Sequence, residues 1–280
     1  LSAYVGKVNM DRNSPEFLIE ETHQSLADTK EWLEASAQFG PLVKPIITPR
    51  FVPSCTSELM SGLGNLAEAY NVPVQSHLSE NHGEIEWVAA LHPEAANYTD
   101  VYYEHHLMGK VQTVMAHCIH LSDVEMDRMA ETQTMVSHCP YSNVNLSSGI
   151  APIRKLFERK IPIGLGSDIS GGHIVSMAKV LTEAIGLSKM KWVEVDQTYA
   201  PLTLSEAFYM ATKGGGKFFG KVGSFEKGCE LDALVIDDTT LFDPNERSLE
   251  ERLERWLYVG DDRHIVERYV AGKVAPEPTN

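Results

Sequence analysis

Short apolar runs alternate along the chain with longer amphipathic stretches, and this alternation constrains the fold more than any other feature of the sequence. It is typical of βα units, in which parallel strands are joined by crossover helices. The runs that predict strands are Tyr4–Val8, Val43–Thr48, Pro73–His77, Val111–His117, Thr134–His138 and Ile161–Gly166. The stretches that predict helices are Ser14–Ala37, Ser57–Tyr70, Glu84–Leu91 and Ser122–Glu131. We therefore predict an α/β protein, either a (β/α)8 TIM-type barrel or a doubly wound sheet.

The residues at the strand ends favour the barrel. Most predicted strands finish at, or just before, a side chain that can take part in chemistry: Arg50, His77, His117, His138 and Asp168. In a barrel, the C-terminal strand ends converge on one mouth, so these side chains would meet there. A doubly wound sheet usually carries a glycine-rich phosphate loop near its start, and no G-x-G-x-x-G follows a strand in this sequence.

The sequence pattern changes after about residue 220. It predicts a strand, a charged helix and a closing hairpin, at Leu231–Ile236, Leu249–Leu257, Val266–Val270 and Gly272–Val274. We therefore predict two domains. Residues 1–219 would form a partial barrel, and residues 220–280 would form the C-terminal part of a small accessory β-sandwich.

The charge and the cysteine content bear on partners and location. Lys and Arg number 24 against 39 Asp and Glu, which gives a formal net charge of −15. Phosphate backbones would repel so acidic a protein, so we expect no nucleic-acid partner. No apolar run approaches the ~20 residues that a membrane span needs, so we expect no membrane segment. Four cysteines without a C-x-x-C pair indicate reduced, mostly buried thiols and a cytoplasmic protein: Cys55, Cys118, Cys139 and Cys229.

The segment from His77 to Glu80 ends the third predicted strand. His77 would face the barrel mouth, and the turn after it would allow Glu80 to reach the same centre. A neutral imidazole suits Zn²⁺, and a carboxylate near a metal-bound water can carry protons. The alternative is a buried, hydrogen-bonded histidine and a glutamate at a helix start, where the helix dipole favours negative charge.

His117 and Asp168 end later strands. His117 follows an apolar run, and the alternative for it is a core histidine whose hydrogen bonds are satisfied. Asp168 follows Gly164 and Gly166, which permit close backbone approach, and it could ligate a metal and accept a proton from water. The alternative for Asp168 is an Asx turn or a helix cap. His120 is interpreted as a loop residue outside the site.

Arg50 and Phe51 predict a site for a flat, polar ring. Pro49 fixes the backbone where the strand ends, Arg50 offers a planar fork of donors, and Phe51 could stack on a ring. Together they suit a heterocycle that carries a carbonyl and ring-nitrogen acceptors. The alternative is a surface arginine beside a core phenylalanine.

Four segments resemble the aminohydrolase branch of the amidohydrolase superfamily: Gln75–Asn81, Met115–Cys118, Ser137–Asn143 and Gly164–Asp168. Further segments resemble the guanine deaminase family within that branch: Val5–Asp11, Thr48–Phe51, Asn145–Gly149 and Leu257–Arg263. The similarity runs over nearly the whole chain, and the superfamily motifs are strong in combination.

The resemblance implies a (β/α)8 barrel that holds one Zn²⁺ per chain through His77 and Asp168, with iron as the alternative metal. Glu80 would move a proton from the metal-bound water to a ring nitrogen. His117 would hydrogen-bond the hydroxide or lie in a shell behind it. Catalysis would thus involve Glu80, His117 and Asp168.

The resemblance also implies the substrate. Arg50 and Phe51 would hold a purine, in contact with His77, Glu80 and Asp168. Attack of hydroxide at C2 of guanine would release ammonia and leave xanthine. A homodimer is the oligomeric state that the resemblance implies.

One departure from the family pattern concerns the metal. The family carries a His-x-His pair on its first barrel strand, whereas this sequence has only the adjacent His105 and His106. We therefore expect the natural protein to have a longer N-terminal portion, and we expect this chain alone neither to hold zinc tightly nor to turn over.

Other functions remain open at this point. The chain could be another aminohydrolase, acting on an adenosine-, cytosine- or triazine-like substrate, or a catalytically inactive homologue or fragment. The fold-unrelated zinc nucleoside deaminases combine H-x-E with P-C-x-x-C, and this sequence lacks that combination.

Overall fold

The computed structural model describes residues 2–276. Leu1 and residues 277–280, at the outer ends of the two predicted domains, lie outside the described part. The chain forms two compact units. The first consists of Leu1–His138 and Ser147–Ile163, and the second of Cys139–Leu146 and Gly164–Asn280. This division does not test the predicted boundary at residue 219, which stays a prediction.

The elements follow the predicted alternation. The strands are β1 (Ala3–Val5), β2 (Val8–Asn9), β3 (Val43–Pro45), β4 (Thr48–Pro49), β5 (Val74–Leu78), β6 (Thr113–His117), β7 (Met135–His138), β8 (Ile163–Leu165), β9 (Ala233–Ile236), β10 (Ile265–Val270) and β11 (Lys273–Val274). The α-helices are α1 (Thr22–Ser36), α2 (Ser57–Tyr70), α3 (His82–Leu91), α4 (Tyr98–Glu104), α5 (Asp123–Thr132), α6 (Pro140–Asn145), α7 (Ile153–Glu158), α8 (Met177–Glu194), α9 (Leu204–Tyr209) and α10 (Leu249–Val259).

The first unit contains a parallel sheet in which β6 lies between β5 and β7. The register places Leu78 opposite His117 and His77 opposite Ala116. Burial alternates along β5 and along β6, so one face of each strand packs into the core and the other is partly open. Shorter parallel pairs join β1 to β3 and β2 to β4. These parallel βα units confirm the predicted α/β class.

Helix α1 begins later than predicted, whereas α2 begins at the predicted residue. The cap of helix α2 is Thr56, whose hydroxyl accepts a hydrogen bond from the amide of Leu59 at 3.2 Å. Helix α1 begins at Thr22 instead of Ser14, because Pro15 leads into a separate 3-10 turn and the Glu21 side chain caps the helix. A capping box between Ser122 and Glu125 begins helix α5.

The second unit contains the predicted hairpin of β10 and β11, and β9 extends it to a three-stranded antiparallel sheet. Helix α10 packs on α8. Gly164 in β8 approaches the backbone at Gly215 so closely that a Cβ on Gly164 would lie 2.8 Å from the Gly215 Cα. The predicted close backbone approach at Gly164 is therefore confirmed, although the neighbour is a helix backbone.

The thiols agree with the prediction. All four cysteines are free, and only Cys229 is partly accessible. Within residues 2–276, no helix is long and apolar enough to cross a bilayer.

We predict opposite effects from alanine at two glycines of the second unit. Gly164→Ala should lower the free energy of unfolding by about 1–3 kcal/mol, because the new methyl group meets backbone that cannot move aside. Gly186→Ala is the matched control. Gly186 lies exposed in α8, where an added Cβ meets no described atom within 4 Å, so the change should raise stability by about 0.5–1 kcal/mol. Urea unfolding measures both, and a Gly164→Ala protein as stable as the wild type would contradict the packing.

Candidate active site

The loops that follow β5 and β6 are tied to each other by backbone hydrogen bonds. The amides of Ile119 and His120 both donate to the carbonyl of Ser79 at 3.1 Å, and the amide of Cys118 donates to the carbonyl of Leu78 at 3.0 Å. The C-terminal ends of β5 and β6 are therefore held next to each other, as predicted for neighbouring parallel strands.

The His77 ring is fixed by a hydrogen bond between its Nδ1 and the carbonyl of Arg50, at 2.6 Å. A carbonyl can only accept, so Nδ1 carries the proton and the Nε2 of the neutral ring keeps its lone pair. The backbone around it is also held. The Ser76 hydroxyl donates to the carbonyl of Pro49 at 2.8 Å, and the Tyr102 hydroxyl donates to the carbonyl of His77 at 2.8 Å. A backbone-fixed imidazole with a free nitrogen is the arrangement found in metal-ligating histidines.

His117 lies beside His77. Their rings stack with centroids 5.4 Å apart and planes 17° apart. His117 is only 1% exposed, and its Nε2 lies 3.8 Å from Oε2 of Glu80. The residue has a left-handed φ of 69°, as does Cys118 with 52°. Regular strand alternation would turn the His117 ring away from His77, and this local twist brings the two rings together.

Glu80 lies directly before the cap of helix α3, and its side chain takes no part in that cap. Helix α3 begins at His82 with Asn81 as its cap, and Glu84 completes the capping box. The Glu84 carboxylate also accepts hydrogen bonds from the Glu80 amide at 2.8 Å and from the Tyr98 hydroxyl at 2.7 Å. The Glu80 side chain is thus free of a capping role, and its Oε1 accepts a hydrogen bond from the Ser148 hydroxyl at 2.9 Å.

Arg50 and Phe51 lie next to His77. The Arg50 amide donates to the carbonyl of Asn9 at 3.1 Å, and its guanidinium carbon lies 5.4 Å from the centre of the Phe51 ring. The Phe51 ring meets His77 and Trp87 edge-on, at 6.5 and 6.3 Å. Arg50 is exposed and Phe51 is half-buried, so both side chains are accessible beside the histidine. Sequence reasoning missed Trp87, which lies on α3 without a motif of its own.

Asp168 belongs to the second unit. It has a left-handed φ of 44°, and its carbonyl accepts a hydrogen bond from the Gly172 amide at 2.6 Å. A Cβ on Gly171 would lie 2.6 Å from both the Asp168 Oδ2 and the Ser142 Oγ, so the carboxylate needs a glycine there. The proximity of Asp168 to His77 stays a prediction.

His138 was noted as a strand end but was given no role in the sequence analysis. It ends β7 and is 2% exposed, and its Nδ1 has no hydrogen-bond partner among the described residues. Burial, together with the nearby His117, lowers the pKa of His138 from its ordinary value of 6.5 to about 3. The sequence shows the histidine, but its burial depends on contacts distant in the chain.

Across residues 2–276, no group of three or more His, Cys, Asp or Glu side chains is placed to hold an ion. His77 presents a ring nitrogen without a hydrogen bond to any described residue and fits the role of one ligand. The assignment of His77 and Asp168 together as metal ligands stays a prediction.

The sequence matches the amidohydrolase family over residues 1–275. It is 44% identical to a guanine deaminase from Dictyostelium discoideum, over 96% of this chain and 61% of that protein. The fold matches a crystal structure of a guanine deaminase from C. acetobutylicum with bound guanine. The TM-score is 0.95 and the identity 52%, covering 98% of this chain and 65% of that one.

A more distant match is the structure of an adenosine deaminase from Xanthomonas campestris with bound zinc. Its TM-score is 0.81 at 23% identity, covering 97% of this chain and 60% of that one, so it bears on the fold alone. The chain thus spans about three fifths of the length of these relatives. Together the matches confirm the predicted fold class, an α/β protein of the amidohydrolase barrel type.

We predict a pH-dependent stability that depends on His138. Between about pH 6.5 and pH 3 the unfolded chain binds a proton at this position and the folded chain does not, so acidification favours unfolding. The His138 contribution should lower the free energy of unfolding by up to about 1.4 kcal/mol per pH unit through that window. His138→Leu should remove this slope, and urea titrations at several pH values measure it. His23→Gln, at a side chain 79% exposed, is the control and should keep the wild-type slope. Equal slopes in His138→Leu and the wild type would contradict the assignment.

Proposed function

The chain belongs to the amidohydrolase family, and from this premise we propose that its protein hydrolyses guanine to xanthine and ammonia. One observation carries the proposal: Glu80 and His117 lie in contact range beside His77, and Arg50 and Phe51 adjoin the same histidine. A proton carrier and a ring-binding pair therefore border one centre. The identities of 44% and 52% to guanine deaminases support the choice of substrate.

His77 and Asp168 would hold the metal, which is zinc in this proposal. Family membership supports a metal of this kind. When bound, the metal lowers the pKa of water and so makes water a nucleophile at neutral pH. The Arg50 carbonyl keeps the Nε2 of His77 unprotonated for this role.

Glu80 would transfer the protons of the reaction. It takes one from the attacking water and delivers one to a ring nitrogen, so that the carbon bearing the amino group becomes tetrahedral. Asp168 would accept the second proton of the water and pass it to the amino group, which then leaves as ammonia. His117, 3.8 Å from the Glu80 carboxylate, would hydrogen-bond the attacking oxygen and hold it in line.

Arg50 and Phe51 would select the ring. The guanidinium can donate two parallel hydrogen bonds to O6 and N7 of guanine, which are both acceptors. The Phe51 ring, supported by Trp87, would contact the flat face of the purine. Adenine lacks the carbonyl and would leave one donor of Arg50 unpaired.

The remaining proposals follow from the same premise. The partner is a small purine, and the protein acts as a homodimer in the cytoplasm, where free cysteines such as those found here stay reduced. The alternatives, another aminohydrolase substrate or an inactive homologue, are outcomes of the tests below.

The complete protein should convert guanine to xanthine, followed by absorbance and by ammonia release, with adenine, cytosine and a triazine as parallel substrates. Chelation should abolish the activity, and zinc should restore it. A higher kcat/KM with adenine, cytosine or the triazine than with guanine would make that compound the substrate. Absence of turnover, together with absence of bound metal, would favour the inactive homologue.

Substitution of the proton carrier should stop catalysis while leaving the metal bound. Glu80→Gln keeps the size of the side chain but cannot accept a proton, so kcat should fall by about 10²–10⁴-fold. Metal content, measured by mass spectrometry, should stay at the wild-type level. A Glu80→Gln enzyme with wild-type kcat would contradict the role.

Loss of the arginine should weaken guanine selection. Arg50→Ala should lower kcat/KM for guanine by roughly 10–100-fold, corresponding to about 1.5–3 kcal/mol for charge-assisted hydrogen bonds. The rate with adenine, measured at high enzyme concentration, should change less. Arg268→Ala, at an exposed arginine of β10, is the matched control and should behave as the wild type. Equal losses for both bases would contradict ring selection by Arg50.

A further inference from the structure

Ser148 contacts the proposed proton carrier from a part of the chain that the mechanism above does not use. It is 7% exposed, and its hydroxyl lies 2.9 Å from Oε1 of Glu80. A carboxylate at neutral pH can only accept, so the serine hydroxyl donates this hydrogen bond. The two residues are 68 positions apart in the sequence.

Ser148 is itself held by His120. The Nε2 of His120 donates to the Ser148 carbonyl at 2.7 Å, and the His120 ring lies against the His82 ring with centroids 4.0 Å apart. The His120 amide is bound to the Ser79 carbonyl, directly before Glu80. His120 is therefore bonded both to Ser148 and to the residue before Glu80. Both partners of the Ser148–Glu80 hydrogen bond are thus held by the same histidine.

Gly149 permits this packing. Its φ is 131°, and a Cβ at this position would lie 3.1 Å from Cγ2 of Ile119 and 3.2 Å from Cε1 of His120. The chain therefore approaches His120 more closely than a residue with a side chain would allow.

The two oxygens of the Glu80 carboxylate have different surroundings. Oε1 receives the Ser148 hydroxyl, whereas Oε2 lies 3.8 Å from Nε2 of His117. The terminal torsion of a glutamate is broad, so an unrestrained carboxylate would sample many orientations. A hydrogen bond on one oxygen restricts that torsion and directs the other oxygen toward the histidine side.

We propose that Ser148, held by His120, is a positioning residue that orients the Glu80 carboxylate for proton transfer. This inference rests on the proposed deamination. It assigns Oε2 as the oxygen that carries the proton and Oε1 as the anchored one. Substrate binding by Arg50 and Phe51 does not involve the serine, so its loss acts on the chemical step.

Steady-state kinetics of the metal-loaded complete protein with guanine tests the proposal. Ser148→Ala should lower kcat by about 10-fold or more, since small displacements of reacting groups cost up to roughly 100-fold, and KM should stay within about 2-fold. Ser148→Thr keeps the hydroxyl and should retain most of the wild-type kcat. If the threonine variant does not fold, Ser148→Cys replaces it as the donor-retaining variant. His120→Phe keeps the ring stacking but removes the donor to Ser148, so it should lower kcat in the same direction.

Ser147→Ala is the matched control, because Ser147 is the exposed neighbouring hydroxyl. It should leave both constants unchanged. Melting temperatures of all variants identify any loss of fold. A Ser148→Ala enzyme with wild-type kcat, or one whose loss lies in KM alone, would overturn the proposal.

Crystal structures of the wild type and Ser148→Ala give a readout that does not depend on activity. The Glu80 carboxylate should occupy one orientation in the wild type and rotate or become multiple in the variant. An unchanged carboxylate in Ser148→Ala would overturn the positioning role. If the wild type does not deaminate guanine, the proposed function fails, and these structures still decide whether Ser148 orients Glu80.

Discussion

The hydrogen bond from His77 Nδ1 to the Arg50 carbonyl is the interaction on which the candidate site depends. It joins the residue that follows β4 to the end of β5, so the ring-binding pair and the proposed metal ligand are fixed relative to each other. It also sets the tautomer of His77, because a carbonyl cannot donate. Loss of this bond would free both the histidine ring and the backbone that presents Arg50.

Four buried side chains near this bond have pKa values that are shifted by burial. Burial raises the pKa values of Tyr98 and Tyr102 well above the ordinary value, raises that of the Cys55 thiol to about 11, and lowers that of His138 to about 3. These four side chains therefore stay neutral at pH 7.

Much of the fold and part of the site follow from the sequence, and the remainder depends on local backbone geometry. Alternating apolar runs predicted β5, β6 and β7, and helical spacing predicted α2 to the residue. The strand-end position predicted His77, Glu80 and His117 as neighbours. It could not predict that a left-handed φ turns the His117 ring onto His77, since regular strand alternation places it on the opposite face. No local sequence pattern predicts the contact between Ser148 and Glu80, which are 68 residues apart, or the burial of His138.

An anomalous-difference map of the metal-loaded complete protein, recorded at the zinc and iron edges, tests the central claim most directly. The His77 tautomer predicts one metal ion at about 2.0–2.1 Å from Nε2 of His77, with an Asp168 oxygen in the same coordination sphere. A metal bound elsewhere, with Nε2 of His77 contacting only solvent, would contradict it.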